Sequence, residues 1–153
     1  MKLRVVELLL VSTVPALFLA ADGWPPLIPS LASIFGGTLA AGAANAFNMV
    51  IESESDALMG RTKGRPLVVG ELTKAQANRF ATLIMLLSLT IFWFYTTPLA
   101  TLLTSIAIVF YVAIYTVGLK KRTDQNIVWG GIAGCMPALI GWAAVTNSLD
   151  LSA

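Results

Sequence analysis

The sequence predicts an all-α fold, a polytopic transmembrane helical bundle of about five spans, and three observations carry that reading. Hydrophobic residues make up 57% of the chain and charged residues only 12%, about half the charge that a water-facing domain needs. Mean hydropathy is +0.80, and apolar runs recur at about the 20 residues a helix needs to cross hydrocarbon. All ten Lys and Arg residues fall into three segments separated by pairs of apolar runs, as expected when basic loops stay on one side of a membrane.

The first span is expected at 5–21, ending on the turn signal Asp22-Gly23-Trp24-Pro25-Pro26 with its interfacial tryptophan. Lys2 and Arg4 ahead of it resemble the start of a signal peptide, but four further spans already require a membrane-integrated product. The second span is expected at 27–51, the third at 80–96, the fourth at 99–119 and the fifth at 127–146. The long polar segment 52–79 separates spans two and three. Lys2 and Arg4, then Arg61, Lys63, Arg65, Lys74 and Arg79, then Lys120, Lys121 and Arg122 lie on one face of this arrangement. The positive-inside bias makes that face cytosolic, with the N-terminus inside and the C-terminus outside. Gly36, Gly37, Ala41 and Gly42 in span two, and Gly130 with Gly134 in span five, are small-residue spacings expected to pack helices closely. Cys135 is expected to be a packed small residue, and Glu7 to pair with Arg4 near the interface.

Composition also excludes. The chain has no histidine and one cysteine, which argues against a zinc site, a catalytic triad, a histidine-ligated redox haem and an internal disulfide. No basic cluster is dense enough for nucleic acid.

The chemistry-bearing residues gather where span two reaches the polar segment. Asn48, Glu52 and Asp56 are four apart and so share one helix face. Carboxylates at that spacing repel unless a cation lies between them, and one or two carboxylates with open water positions suit Mg²⁺. A solvated acidic face is the other reading. Glu54 points away from that face. Just beyond lie Arg61, Lys63 and Arg65. Acids able to hold Mg²⁺ beside arginines able to grip phosphate make a diphosphate clamp, while a basic loop can equally be a topology or lipid signal. No Walker-type glycine loop is present, so the diphosphate is expected on a molecule arriving from the membrane, such as an isoprenoid diphosphate. Asn45 sits at membrane depth, where polar groups face a bundle interior, as a site or as a helix–helix bond.

The stretch from Asn48 through Glu52, Glu54, Asp56, Met59, Arg61, Thr62, Arg65, Pro66 and Leu67 resembles the first aspartate-rich motif of the UbiA-type prenyltransferases, most of all the branch that prenylates haem. Lys2-Leu3-Arg4 resembles the end of that branch's opening element. Tyr115, Thr116, Leu119, Lys120, Lys121, Arg122 and Thr123, followed by Gln125-Asn126-Ile127-Val128, resemble its second cytosolic loop, and Pro137, Gly141 and Trp142 fit the span after it.

The resemblance implies transfer of a farnesyl group from farnesyl diphosphate to a vinyl group of protoheme IX, giving haem O, with Mg²⁺ as cofactor and haem as substrate. It implies Asn48, Glu52 and Asp56 as metal ligands, and Asp56, Arg61, Arg65 and Lys120 in catalysis. Arg4, Asn45, Arg61, Lys63, Arg65, Tyr115, Lys120, Lys121 and Arg122 would bind substrate. It further implies a bacterial plasma membrane and association with other membrane proteins of the haem pathway. Glu52 and Glu54 stand where the family usually has aspartates, which moves each carboxylate one methylene outward. The family also has about nine spans and a second aspartate-rich motif, so residues 1–153 are expected to be the N-terminal part of such an enzyme and inactive alone. A different acceptor, such as a quinone precursor or chlorophyllide, and a non-catalytic haem-handling or transporter protein are the alternatives.

Overall fold

The computed structural model describes residues 3–60, 62, 64–119 and 126–149, and among them it contains helices and no strand. Helix α1 spans Leu3–Ala20, α2 Leu27–Ile51, α3 Ser53–Leu58, α4 Lys74–Tyr95, α5 Pro98–Val109 and α6 Asn126–Thr146. Directly after α5 the chain continues as a π-helical segment, Phe110–Leu119. Three helical stretches, Leu27–Ile51, Lys74–Tyr95 and Pro98–Thr116, are long and apolar enough to cross a membrane, and Leu9–Ala20 and Gly134–Thr146 are shorter apolar helices.

Local chemistry sets the element ends. At α4 the Thr73 hydroxyl accepts from Gln76 N at 3.2 Å and the Gln76 side chain accepts from Thr73 N at 2.9 Å, a reciprocal capping box. The helix therefore begins at Lys74, and the polar segment 52–79 is partly helical at both ends. Thr97 caps α5, its hydroxyl accepting from Ala100 N at 3.1 Å, with Pro98 in the first turn where its missing N–H costs nothing. The Thr97 hydroxyl also donates to Ala143 O at 2.7 Å, tying the start of α5 to the end of α6.

The tightest core lies at that end. Phe92 of α4, Ala100 of α5 and Ala143 and Ala144 of α6 are buried together. Against it, α2 runs along α4 and α1 along α6 in the two longest interfaces. Small residues permit both. A Cβ on Gly36 would lie 2.9 Å from the Phe92 ring, and Ser88 Oγ donates to Gly36 O at 2.7 Å. A Cβ on Gly141 would lie 3.2 Å from Thr13 of α1. Large apolar side chains such as Leu83, Leu86, Trp93 and Phe94 point outward, which suits a hydrocarbon solvent.

Two readings of α6 are corrected. Where a close helix contact was expected at Gly134, an added Cβ would meet none of the described atoms within 4 Å; α6 packs against α1 two turns later, at Gly141. Cys135 is exposed rather than packed, because the described helices leave its position uncovered.

Candidate functional site at the end of the second span

Glu52 sits at φ −90°, ψ 0°, the bridge between α2 and α3, yet the i to i−4 hydrogen bonds continue across it. Glu52 N donates to Asn48 O at 2.9 Å and Asp56 N to Glu52 O at 2.8 Å. Asn48, Glu52 and Asp56 therefore stay on one face through the change of helix. All three are buried, at 8, 9 and 5% exposure, which sets them apart from an ordinary solvated acidic face.

After α3 the chain doubles back onto this face. Arg65 Nη1 donates to Asp56 Oδ2 in an ion pair whose side chains are 21% and 7% exposed. Partial burial raises the strength of such a pair above that of surface ion pairs. Thr62, 2% exposed, holds the turn: its hydroxyl donates to Asp56 O at 2.7 Å, with Met59 O at 3.2 Å. Glu54 projects to the other side, where Lys74 Nζ donates to it at 2.9 Å in an exposed pair. Such pairs contribute about 0–1 kcal/mol.

The π-helical segment closes the site from the other flank. Thr116, fully buried, accepts from Asn48 Nδ2 at 3.1 Å and donates to Tyr111 O at 2.9 Å. Tyr115 stacks on Tyr111 with ring centroids 5.3 Å apart. Tyr111 and Asn45 also line a cavity of about 280 Å³ inside the bundle, near the lower end of small-molecule pockets (roughly 300–1,000 Å³). Its remaining wall is largely Gly and Ala of α2 with Ile108, Pro137 and Ile140. Asn48 lies three residues beyond Asn45 on the same helix, an advance of about 4.5 Å along the axis. The polar cluster thus stands at one end of an apolar cavity.

The fold accordingly brings Asn48, Glu52, Asp56 and Arg65 together, puts Asn45 on the cavity wall and sets Tyr115 half-buried beside Tyr111. Arg61, Lys63, Lys120, Lys121 and Arg122 lie outside the described residues, as does the side chain of Arg4. The contact between Asp56 and Arg65 is a finding that spacing did not contain: an acid expected on metal and a cation expected on diphosphate hold each other. No sequence signal singles out Tyr111, and Thr62 and Thr116 stand out only as members of the family-like motifs. A buried hydroxyl at membrane depth is the signal that would have marked Thr116.

For a metal, the face offers two carboxylates and one amide, all oxygen donors. No group of three or more His, Cys, Asp or Glu placed to hold a metal ion occurs among the described residues. That set fits Mg²⁺, which takes one or two carboxylates and completes its shell with water and phosphate.

Sequence comparison bears on the family. The model of the UbiA prenyltransferase family matches residues 9–153. Curated relatives named protoheme IX farnesyltransferase include those of Renibacterium salmoninarum, 53% identical over 97% of this chain and 47% of the relative, and of Leifsonia xyli subsp. xyli, 55% identical over 97% and 48%. That of Streptomyces coelicolor is 51% identical over 97% and 47%. The chain thus spans about half the length of the curated relatives it matches. No solved structure matches.

Proposed function

The chain belongs to the UbiA prenyltransferase family, and on that premise we propose that it supplies the diphosphate-binding part of an enzyme that farnesylates protoheme IX to haem O. It is an integral membrane protein by its apolar helices and its family; we place it in the bacterial plasma membrane, with the 52–79 and 120–125 segments cytosolic on the positive-inside argument. The observation that carries the reading is the buried face of Asn48, Glu52 and Asp56, with Arg65 folded onto it, at the end of an apolar cavity.

Each part has a task. The cavity takes the apolar chain of farnesyl diphosphate and excludes water from the reacting carbon. Arg65, with Arg61, Lys63 and Lys120 from the basic segments, carries the diphosphate and stabilises the charge that grows on it as the C–O bond breaks. Asn48, Glu52 and Asp56 would hold Mg²⁺, which when bound supplies further neutralisation of the leaving diphosphate. Tyr115 and Arg4, with Asn45, Lys121 and Arg122, complete the substrate contacts. The names of the relatives support protoheme IX as acceptor over a quinone precursor or chlorophyllide.

Joining residues 1–153 to the remaining half of the Renibacterium salmoninarum relative provides the test. Cells carrying the chimera are expected to accumulate haem O by mass spectrometry, and Asp56→Ala is expected to abolish it while membrane levels of the protein hold. Undiminished haem O in the Asp56→Ala chimera would refute the assignment.

A further inference from the structure

We infer that Thr116 is a positioning residue that turns the Asn48 carboxamide so that its oxygen is presented to the Glu52–Asp56 face. The inference rests on the reading of that face as a cation site. It begins with a hydroxyl that has one proton to give. Along α1, α2, α4, α5 and α6, Thr13, Thr38, Thr90, Thr104 and Thr146 all donate to the carbonyl four residues back. Thr116 reaches five residues back, to Tyr111 O at 2.9 Å, because the π-helical turn widens the register. Its proton is committed there, so only a donor can approach its remaining lone pairs.

Asn48 Nδ2 is that donor, at 3.1 Å. The reverse orientation would set two acceptor oxygens against each other in a buried site, forfeiting a hydrogen bond and leaving a polar atom unpaired. The amide orientation is therefore chosen by the chemistry of Thr116 and Tyr111 O. With the nitrogen bound to Thr116, the oxygen is left for the acidic face. A hard cation accepts an amide oxygen and has no use for an amide NH₂. The π-helical segment thus acts on the site through one hydroxyl, and partners of this kind alter metal affinity by about 10–100-fold when removed.

The test uses the whole chain in detergent, with Mn²⁺ alone as probe and loss of the free-ion electron paramagnetic resonance signal as readout. Thr116→Val keeps the shape and removes the hydroxyl, and is expected to weaken Mn²⁺ binding by about 10–100-fold. Thr116→Ala carries the same expectation, so the test does not depend on one variant folding. Thr116→Ser is expected to restore the affinity. In an Asn48→Asp background either orientation offers oxygen, so Thr116→Val is expected to change nothing. An equal loss in both backgrounds would mean a merely structural role and overturn the inference, as would unchanged binding by Thr116→Val. No Mn²⁺ binding by the unsubstituted chain would overturn the cation site itself, and this inference with it.

Discussion

Substituting Gly36 by alanine sets two opposed effects of known size against each other. Gly36 lies inside α2, where replacing glycine by alanine favours a helix by about 0.8–1 kcal/mol. The added Cβ would stand 2.9 and 3.0 Å from two carbons of the Phe92 ring and 3.4 Å from Ile91. Ordinary carbon contacts begin near 3.5 Å, so the ring must retreat by roughly half an ångström. Phe92 is fully buried, packed with Ala100, Ala143 and Ala144, and has nowhere to go. Overpacking of this kind costs about 1–3 kcal/mol, and α2 cannot shift away without straining the bond from Ser88 Oγ to Gly36 O at 2.7 Å. The overlap is expected to outweigh propensity, for a net loss of about 1 kcal/mol. Equilibrium unfolding in mixed micelles would measure it. In a Phe92→Leu background the smaller side chain relieves the clash, and the same Gly36→Ala change is expected to become neutral or stabilising. A stabilising Gly36→Ala in the unsubstituted chain would refute the packing argument.

Two further outcomes are expected. Thr62→Val removes the hydroxyl that bonds Asp56 O at 2.7 Å, leaving that carbonyl only the Met59 N–H at 3.3 Å; the lost bond, about 0.5–1.5 kcal/mol, is expected to loosen the turn and raise amide exchange over residues 64–69, with Thr62→Ser retaining protection. For orientation, a Cys135→Ala background removes the exposed native thiol, and a cysteine at Gly64, an exposed position, is expected to resist impermeant reagents in intact cells. Trp24→Cys, at a 90% exposed position, is expected to label; it is the better control than Gly23, whose φ of +148° would strain any side chain. The reverse labelling pattern would invert the topology.

Properties that depend on the order of residues alone were legible without a fold. Hydropathy is a sum over neighbours, so the apolar helices and the long polar segment between the second and third spans could be marked from the sequence. The i, i+4 spacing of Asn48, Glu52 and Asp56 is likewise local. What the residues do to each other was not legible. A helix signal cannot distinguish α from π geometry, so the register that sends the Thr116 hydroxyl to Tyr111 O, and through it fixes Asn48 from 68 positions away, was hidden. Nor does a small residue announce its partner: a Cβ on Gly36 would run into Phe92 while one on Gly134 would meet none of the described atoms within 4 Å, because contact depends on which helix lies opposite. Arg65 could be assigned to phosphate from composition, but only the turn after α3, pinned by Thr62, brought it onto Asp56. Sequence by itself determined which segments are apolar and which charges are neighbours along the chain. Tertiary structure decided which polar groups are buried together, because burial and hydrogen bonding are satisfied by whatever group the fold delivers, at any separation in sequence.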